Sequence, residues 1–287
     1  MELHCRQRII AFPRRPLVMG IVNVNDDSFC GDGTLDISKA LQQAMAMVTA
    51  GADIIDVGAE SARTNREAIR VDEEIGRLVP FIRAFQETGW PEPLDSHQVW
   101  PPLLSINTWR PEVVGEVLRI GGDLLNDIGA LPDAKNAISC ATHEVALLIM
   151  HSVGLPKVAH THIGYENVMT SLDAFFTEKI ALAKSAGLTD SQIIIDPGVD
   201  FAKQKEDNLR IFADVGRLHR FGVPVLLPIS RKSVIGQVLD LPDPLERDAG
   251  TVACLVAGLR QGVQLFRVHN VQAAVQAIQT LAWLDAG

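Results

Sequence analysis

The sequence predicts an α/β protein, a (β/α)8 TIM barrel with its active site at the C-terminal ends of the strands. Three observations carry this. Short apolar runs alternate with longer helix-like stretches from end to end, the runs number eight, and the chain of 287 residues is close to the roughly 250 that such a barrel uses. Residues 1–287 are read as one domain with a core at about 17–285.

The strand candidates, in order, are 17–24 (LVMGIVNV), 53–58 (DIIDVG), 103–108 (LLSINT), 124–129 (LLNDIG), 145–151 (VALLIMH), 192–198 (QIIIDPG), 224–230 (PVLLPIS) and 265–271 (LFRVHNV). Near-continuous apolarity, in place of strict alternation, is expected of strands covered by helices outside and packed side chains within. Helical patterns fill 38–50, 72–88, 111–120, 171–186, 205–219, 247–262 and about 272–285. Pro111 suits a first helical turn, where its missing N–H costs nothing, and Gly51, Gly121 and Gly187 stand where helices should stop. Segment 89–102, GWPEPLDSHQVWPP, reads as a long surface loop at the barrel end away from the site.

A composition of 47% hydrophobic and 21% charged residues allows a sizeable core. The formal charge of -9 argues against a nucleic-acid binder, which neutralises phosphates with clustered basic residues. Cys5, Cys30, Cys140 and Cys254 show no Cys-x-x-Cys spacing, so neither a disulfide framework nor a zinc site is implied. The four-residue apolar run before Pro13 is too short for a signal-peptide core, and no stretch is long enough to span a bilayer. A cytoplasmic protein with no membrane partner is expected.

Polar residues recur at the strand ends, where a barrel of this kind does its chemistry. They are Asn23, Asp56, Asn107, Asn126 with Asp127, His151, Asp196, the trio Ser230, Arg231 and Lys232, and Arg267 with His269. Each alone is most simply a loop bond, a helix cap or a satisfied interior group. Together they imply a shared pocket, because unpaired polar groups beside a core are costly.

In these residues the chain resembles the dihydropteroate synthase family, pterin-binding barrel enzymes of folate biosynthesis. The stretches that carry the likeness are MGIVNVNDDSF (19–29), GADIIDVGAESAR (51–63), LLNDI (124–128), IMHSVGLP (149–156), IIIDPGVDFAK (193–203), ISRKSVIG (229–236) and FRVHNV (266–271), in the family's order. The resemblance implies condensation of 7,8-dihydropterin-6-ylmethyl pyrophosphate (the pterin pyrophosphate) with p-aminobenzoate. It implies that Asp196 grips the guanidine-like edge of the pterin, that Asn126 and Asn107 contact the same heterocycle, and that Lys232 reaches its carbonyl. Peptide N–H groups around Ser230 to Ser233 would bind the aminobenzoate carboxylate, with Phe29 and Phe201 flanking its ring. Asn23 would be a ligand of Mg2+, Arg267 and His269 would hold the leaving pyrophosphate, and Arg63 would close over it. A homodimer through outer helices is likewise implied.

The sequence departs from the family pattern at several places. Asn107 stands where the family's Ser-Val-Asp-Thr has aspartate, which removes a negative charge beside a developing cation. On that account Asn107→Asp is expected to raise turnover. Asn25 and Asp26 replace threonine and proline in the first loop, Ala62 and Thr64 alter the second, and Asp200 and Ala202 stand in place of two glycines. Clustered around the aminobenzoate, these changes imply reduced sulfonamide sensitivity. Two rival readings are a pterin-dependent methyltransferase acting on a corrinoid protein and a non-catalytic pterin-binding paralogue. The SRK and RVH stretches, which methyl transfer does not require, disfavour the first, while Asn107 and the altered loops motivate the second.

Overall fold

The computed structural model describes residues 1–26, 30–61, 67–158, 160 and 162–285. It opens with an antiparallel hairpin, β1 (Glu2–Cys5) and β2 (Arg8–Ala11). There follow β3 (Leu17–Asn23), α1 (Ile37–Thr49), β4 (Ile54–Gly58), α2 (Val71–Glu87), β5 (Leu103–Asn107), α3 (Pro111–Ile120), β6 (Leu124–Asp127) and α4 (Lys135–Thr142). The second half comprises β7 (Ala146–Met150), α5 (Val168–Ser185), β8 (Ile193–Asp196), α6 (Lys205–Asp214), β9 (Leu226–Pro228), α7 (Ser233–Leu239), α8 (Asp248–Arg260), β10 (Leu265–Val268) and α9 (Val271–Asp285). Strands β3 to β10 form one parallel sheet in the order β8-β7-β6-β5-β4-β3-β10-β9. A single parallel bridge, Ile195 to Val225, joins the two ends and closes the barrel, with the Ile195 N–H donating to the Pro224 carbonyl at 3.0 Å.

All eight expected strands form, each within a few residues of its expected span. The differences lie elsewhere. Helices α4 and α7 have eight and seven residues and carry too few apolar repeats to stand out as a periodic pattern. The stop after α3 is made by a pair: Gly121 is extended, and Gly122 takes the left-handed φ of 101°.

Two apolar layers hold the barrel. The larger lies between strands and helices, and the smaller fills the lumen with Leu17, Met19, Ile54, Leu103, Leu124, Leu148, Ile194, Leu226 and Leu265. The hairpin belongs to the smaller one: Leu3, Cys5 and Ile10 pack on its lower side and seal the amino-terminal end of the barrel. Arg8 donates from its guanidinium to the Trp100 and Pro101 carbonyls at 3.1 and 3.0 Å, which ties the hairpin to the segment before β5. That segment, expected as a surface loop, does lie away from the strand ends but is partly packed. Val99 is buried, and Gln98 donates to the carbonyls of Val48 and Ala52. No helix among the described residues is long and apolar enough to cross a membrane.

Candidate active site

Side chains two residues apart on a strand face the same way. From the apolar lumen layer the next inward positions therefore run Ile54 to Asp56, Leu103 to Ser105 and Asn107, Leu124 to Asn126, Ile194 to Asp196, and Leu265 to Arg267. The strand register brings Asp56 beside Ser105 and Asn107 beside Asn126. The lumen thus changes from apolar to polar within one layer, and a cavity of about 600 Å³ opens above it.

Asp56, fully buried, is the hub of that polar layer. Its carboxylate accepts from Ser105 Oγ at 2.5 Å, Arg267 Nε at 2.7 Å, Asn126 Nδ2 at 3.1 Å and Asn107 Nδ2 at 3.3 Å. A carboxylate is acceptor-only, so both asparagines must turn their NH2 groups toward it. Their Oδ1 atoms, buried and without a protein partner, are left for the cavity that both residues line. Asp127, the alternate residue on β6, faces outward and accepts from Asn136 Nδ2 at 2.9 Å and Gly129 N–H at 2.8 Å. It is a structural group and does not line the cavity.

Asp196 ends β8 at the cavity wall, 3% exposed. The turn through Pro197 and Gly198 sends the Gly198 N–H back to Asp196 Oδ1 at 2.7 Å. Glycine is required there, since φ is 66° and a Cβ would sit 1.9 Å from the His151 carbonyl oxygen. Burial pushes the Asp196 carboxyl up to about 6, opposed by that N–H bond and by Lys232, Lys203 and Arg267. Lys203, which the sequence reading gave no role, donates to His151 Nδ1, the Gly198 carbonyl and the Phe201 carbonyl at 2.8, 2.9 and 3.0 Å. Burial pulls its ammonium down to about 7 and pulls His151, which lies behind it, down to about 2. His151 is therefore a neutral acceptor that fixes Lys203, and it does not line the cavity.

Lys232 lies on the adjacent wall, with its Nζ donating to the Val199 carbonyl at 2.9 Å and standing 5.1 Å from the centre of the Phe201 ring. Burial lowers its pKa. Beside it the Ser233 N–H, expected to meet a substrate carboxylate, instead donates to the carboxylate of Asp200. Two loops meet across the cavity. Lys157 Nζ lies 3.3 Å from Glu60 and donates to the Ser61 carbonyl at 3.1 Å, while Arg110 holds Glu60 at 2.6 Å.

At the mouth, Asn23 Nδ2 donates to Asp32 Oδ1 at 3.2 Å, and His269 Nδ1 meets Ser230 Oγ at 2.8 Å. Burial lowers the His269 pKa to about 4, so at neutral pH the ring is an uncharged hydrogen-bonding group. Among the described residues no group of three or more His, Cys, Asp or Glu side chains converges as a metal centre. The amide oxygen of Asn23 beside the Asp32 carboxylate is a set of hard oxygen donors, which fits an ion that takes most of its ligands from water and substrate oxygens.

Of the sequence-predicted site residues, Asn23, Asn107, Asn126, Asp196, Phe201, Lys232, Ser233, Arg267 and His269 line one cavity. Phe29 and Arg63 lie outside the described residues. Sequence reasoning named Asp56 at a strand end without seeing its part as hub, and it missed Ser105 and Lys203. Inward parity with Ile54 and Leu103 was the available signal for the first two. Lys203 offered none, because its partners are two carbonyls and a ring reached only through the fold.

Comparison with known proteins gives a consistent result. The family described as "Pterin binding enzyme" matches residues 19–269. The dihydropteroate synthase of Escherichia coli (strain K12) is 35% identical over 93% of this chain and 90% of its own. That of Synechocystis sp. is 36% identical over 94% of this chain and 90% of its own. Among solved structures, the Yersinia pestis dihydropteroate synthase with a sulfonamide drug complex superposes with a TM-score of 0.90 at 33% identity, covering 100% of both chains. The Xanthomonas albilineans dihydropteroate synthase with 4-aminobenzoic acid gives 0.85 at 33% identity, covering 100% of this chain and 98% of that one.

The hub changes the outcome expected of the swap at position 107. Asn107→Asp would set a second carboxylate where an amide now donates to Asp56, trading a buried hydrogen bond for like-charge repulsion. The variant should be less stable by about 2 kcal/mol at neutral pH. The loss should shrink in acid, where the new carboxyl regains a proton to donate. Urea denaturation at several pH values measures this, and an equal or higher stability at neutral pH would refute it.

Proposed function

The chain belongs to the pterin-binding enzyme family, among the dihydropteroate synthases, and from that premise we propose how its pocket carries out the reaction. The enzyme is a transferase: the amine of p-aminobenzoate displaces pyrophosphate from 7,8-dihydropterin-6-ylmethyl pyrophosphate to give dihydropteroate. The observation that carries the residue assignment is the set of buried acceptors on neighbouring strand ends, Asn107 Oδ1, Asn126 Oδ1 and the Asp196 carboxylate.

In this reading, the acceptors take the N–H groups of the pterin, with Asp196 on the guanidine-like edge, and Lys232 donates to the ring carbonyl. As the methylene carbon releases its oxygen, positive charge spreads into the ring. Asp196 and Asp56 supply the negative field that steadies it, so Asp56 carries part of what an aspartate at position 107 would add. The amine nitrogen then forms the new C–N bond and its proton passes to solvent. Arg267, its Nε fixed on Asp56, turns its remaining N–H groups to the pyrophosphate, and His269 assists by hydrogen bonding. Asn23, with Asp32 beside it, would hold magnesium, which when bound neutralises pyrophosphate oxygens. Phe201 flanks the aminobenzoate ring. A cytoplasmic homodimer belongs to the same reading. Leu209 of α6, Val238 and Leu239 of α7, and Leu245 leave exposed apolar surface on the outer helices that a second copy would cover.

Three outcomes test this. The carboxylate form of Asp196, needed to accept two N–H groups, prevails above its raised pKa of about 6 and is lost as the pH falls through it. Pterin affinity followed by calorimetry should therefore drop toward pH 5 by up to about tenfold per unit. Asp196→Asn should bind roughly 100-fold more weakly at pH 7.5 and lose that slope. Equal binding by the variant would sink the assignment. Secondly, the inhibition constant for a sulfonamide divided by the KM for p-aminobenzoate should be higher than in the Escherichia coli relative; a matching ratio rejects the reduced sensitivity. Thirdly, sedimentation equilibrium at micromolar concentration should give twice the chain mass, and the monomer mass would rule out the pairing.

A further inference from the structure

The wall between β8 and β9 carries a group that the reaction as described does not use. Asp200 holds a left-handed φ of 68°, a conformation glycine takes without strain and other residues adopt rarely. Its carboxylate accepts the Ser233 N–H, the Val234 N–H at 3.3 Å and Asn208 Nδ2 at 3.2 Å. Its own N–H donates to Asn208 Oδ1 at 2.9 Å, and Asn208, 2% exposed, is anchored in turn on the Gln204 carbonyl at 3.0 Å. The carboxylate is thus clamped from behind by a buried amide and seated on two backbone N–H groups at the edge of the cavity. Phe201 and Lys232, assigned to the amine substrate and its partner, stand in the same wall.

A substrate carboxylate directed to the Ser233 amide would find that donor taken and a like charge beside it. Lys203 and Lys232, the ammonium groups of this wall, are each bonded to backbone carbonyls; they offset part of that charge but leave the Ser233 and Val234 amides occupied by Asp200. We propose that Asp200 is a specificity-determining residue of the amine subsite. By seating the chain's own carboxylate on the Ser233 and Val234 amides it handicaps the carboxylate of p-aminobenzoate and favours para-substituted arylamines that carry a planar, uncharged carbonyl group there, a shape the tetrahedral sulfonyl of a sulfonamide does not match. The proposal rests on the reading above, in which the amine lies against Phe201, Lys232 and Ser233.

The test compares p-aminobenzoate with the uncharged p-aminobenzamide, with pterin pyrophosphate saturating and magnesium present, and follows pyrophosphate release. In Asp200→Gly the ratio of kcat/KM for the acid over that for the amide should rise about tenfold, chiefly through a lower KM for the acid. In Asp200→Asn, which keeps a capping oxygen but loses the charge, the ratio should rise by a smaller factor. Thermal denaturation and pterin calorimetry establish that each variant is folded, and Asp200→Asn carries the comparison if Asp200→Gly is not. A ratio within about twofold of the unmodified enzyme in the folded variants overturns the role of Asp200 while leaving the pocket assignment standing. An unmodified enzyme that binds the pterin yet couples neither amine overturns both.

Discussion

The architecture of the site depends on one buried negative charge. Asp56 sits where the lumen turns from apolar to polar, and four side chains from three other strands donate to it. An uncompensated carboxylate at that depth would be prohibitively costly, so its partners are obligatory. Their obligation creates the acceptor face of the cavity, because an asparagine that gives its NH2 to a carboxylate can present only its oxygen on the other side. The same charge fixes Arg267 at the pocket edge. A group that touches no substrate in this scheme thereby sets the polarity of those that do.

The opposite wall is built on different terms. Between β8 and α6 the backbone passes through left-handed φ at Gly198, Asp200 and Ala202, only one of which is glycine. Such strain persists only where surroundings over-determine it. Here they do: Lys203 pins the carbonyls of Gly198 and Phe201, and Asn208 pins Asp200. Burial shifts the titrating groups of this wall in opposite senses, raising Asp196 and lowering Lys203 and Lys232, since each charged form loses water on entering the pocket. Their proximity offsets part of that cost.

The sequence by itself determined the barrel, through eight apolar runs at regular spacing, and determined that polar residues gather at the strand ends, since nothing but a pocket tolerates so many of them there. Period two along each strand says only that Asn126 and Asp127 face opposite ways, and the assembled sheet decided that Asn126 is the one lining the pocket. Short helix α4 and the β1–β2 plug escaped notice because their stability comes from what they pack against and not from a pattern of their own. Only the tertiary structure decided that Asp56 is the hub, that Asn107 is its donor and not simply a missing acid, and that Asp200 sits on the Ser233 amide. Each of these is a contact between residues far apart in the chain, fixed by strand register and loop path. One-dimensional spacing records which side chains are available, whereas the direction a hydrogen bond points is settled when separate strands are brought side by side.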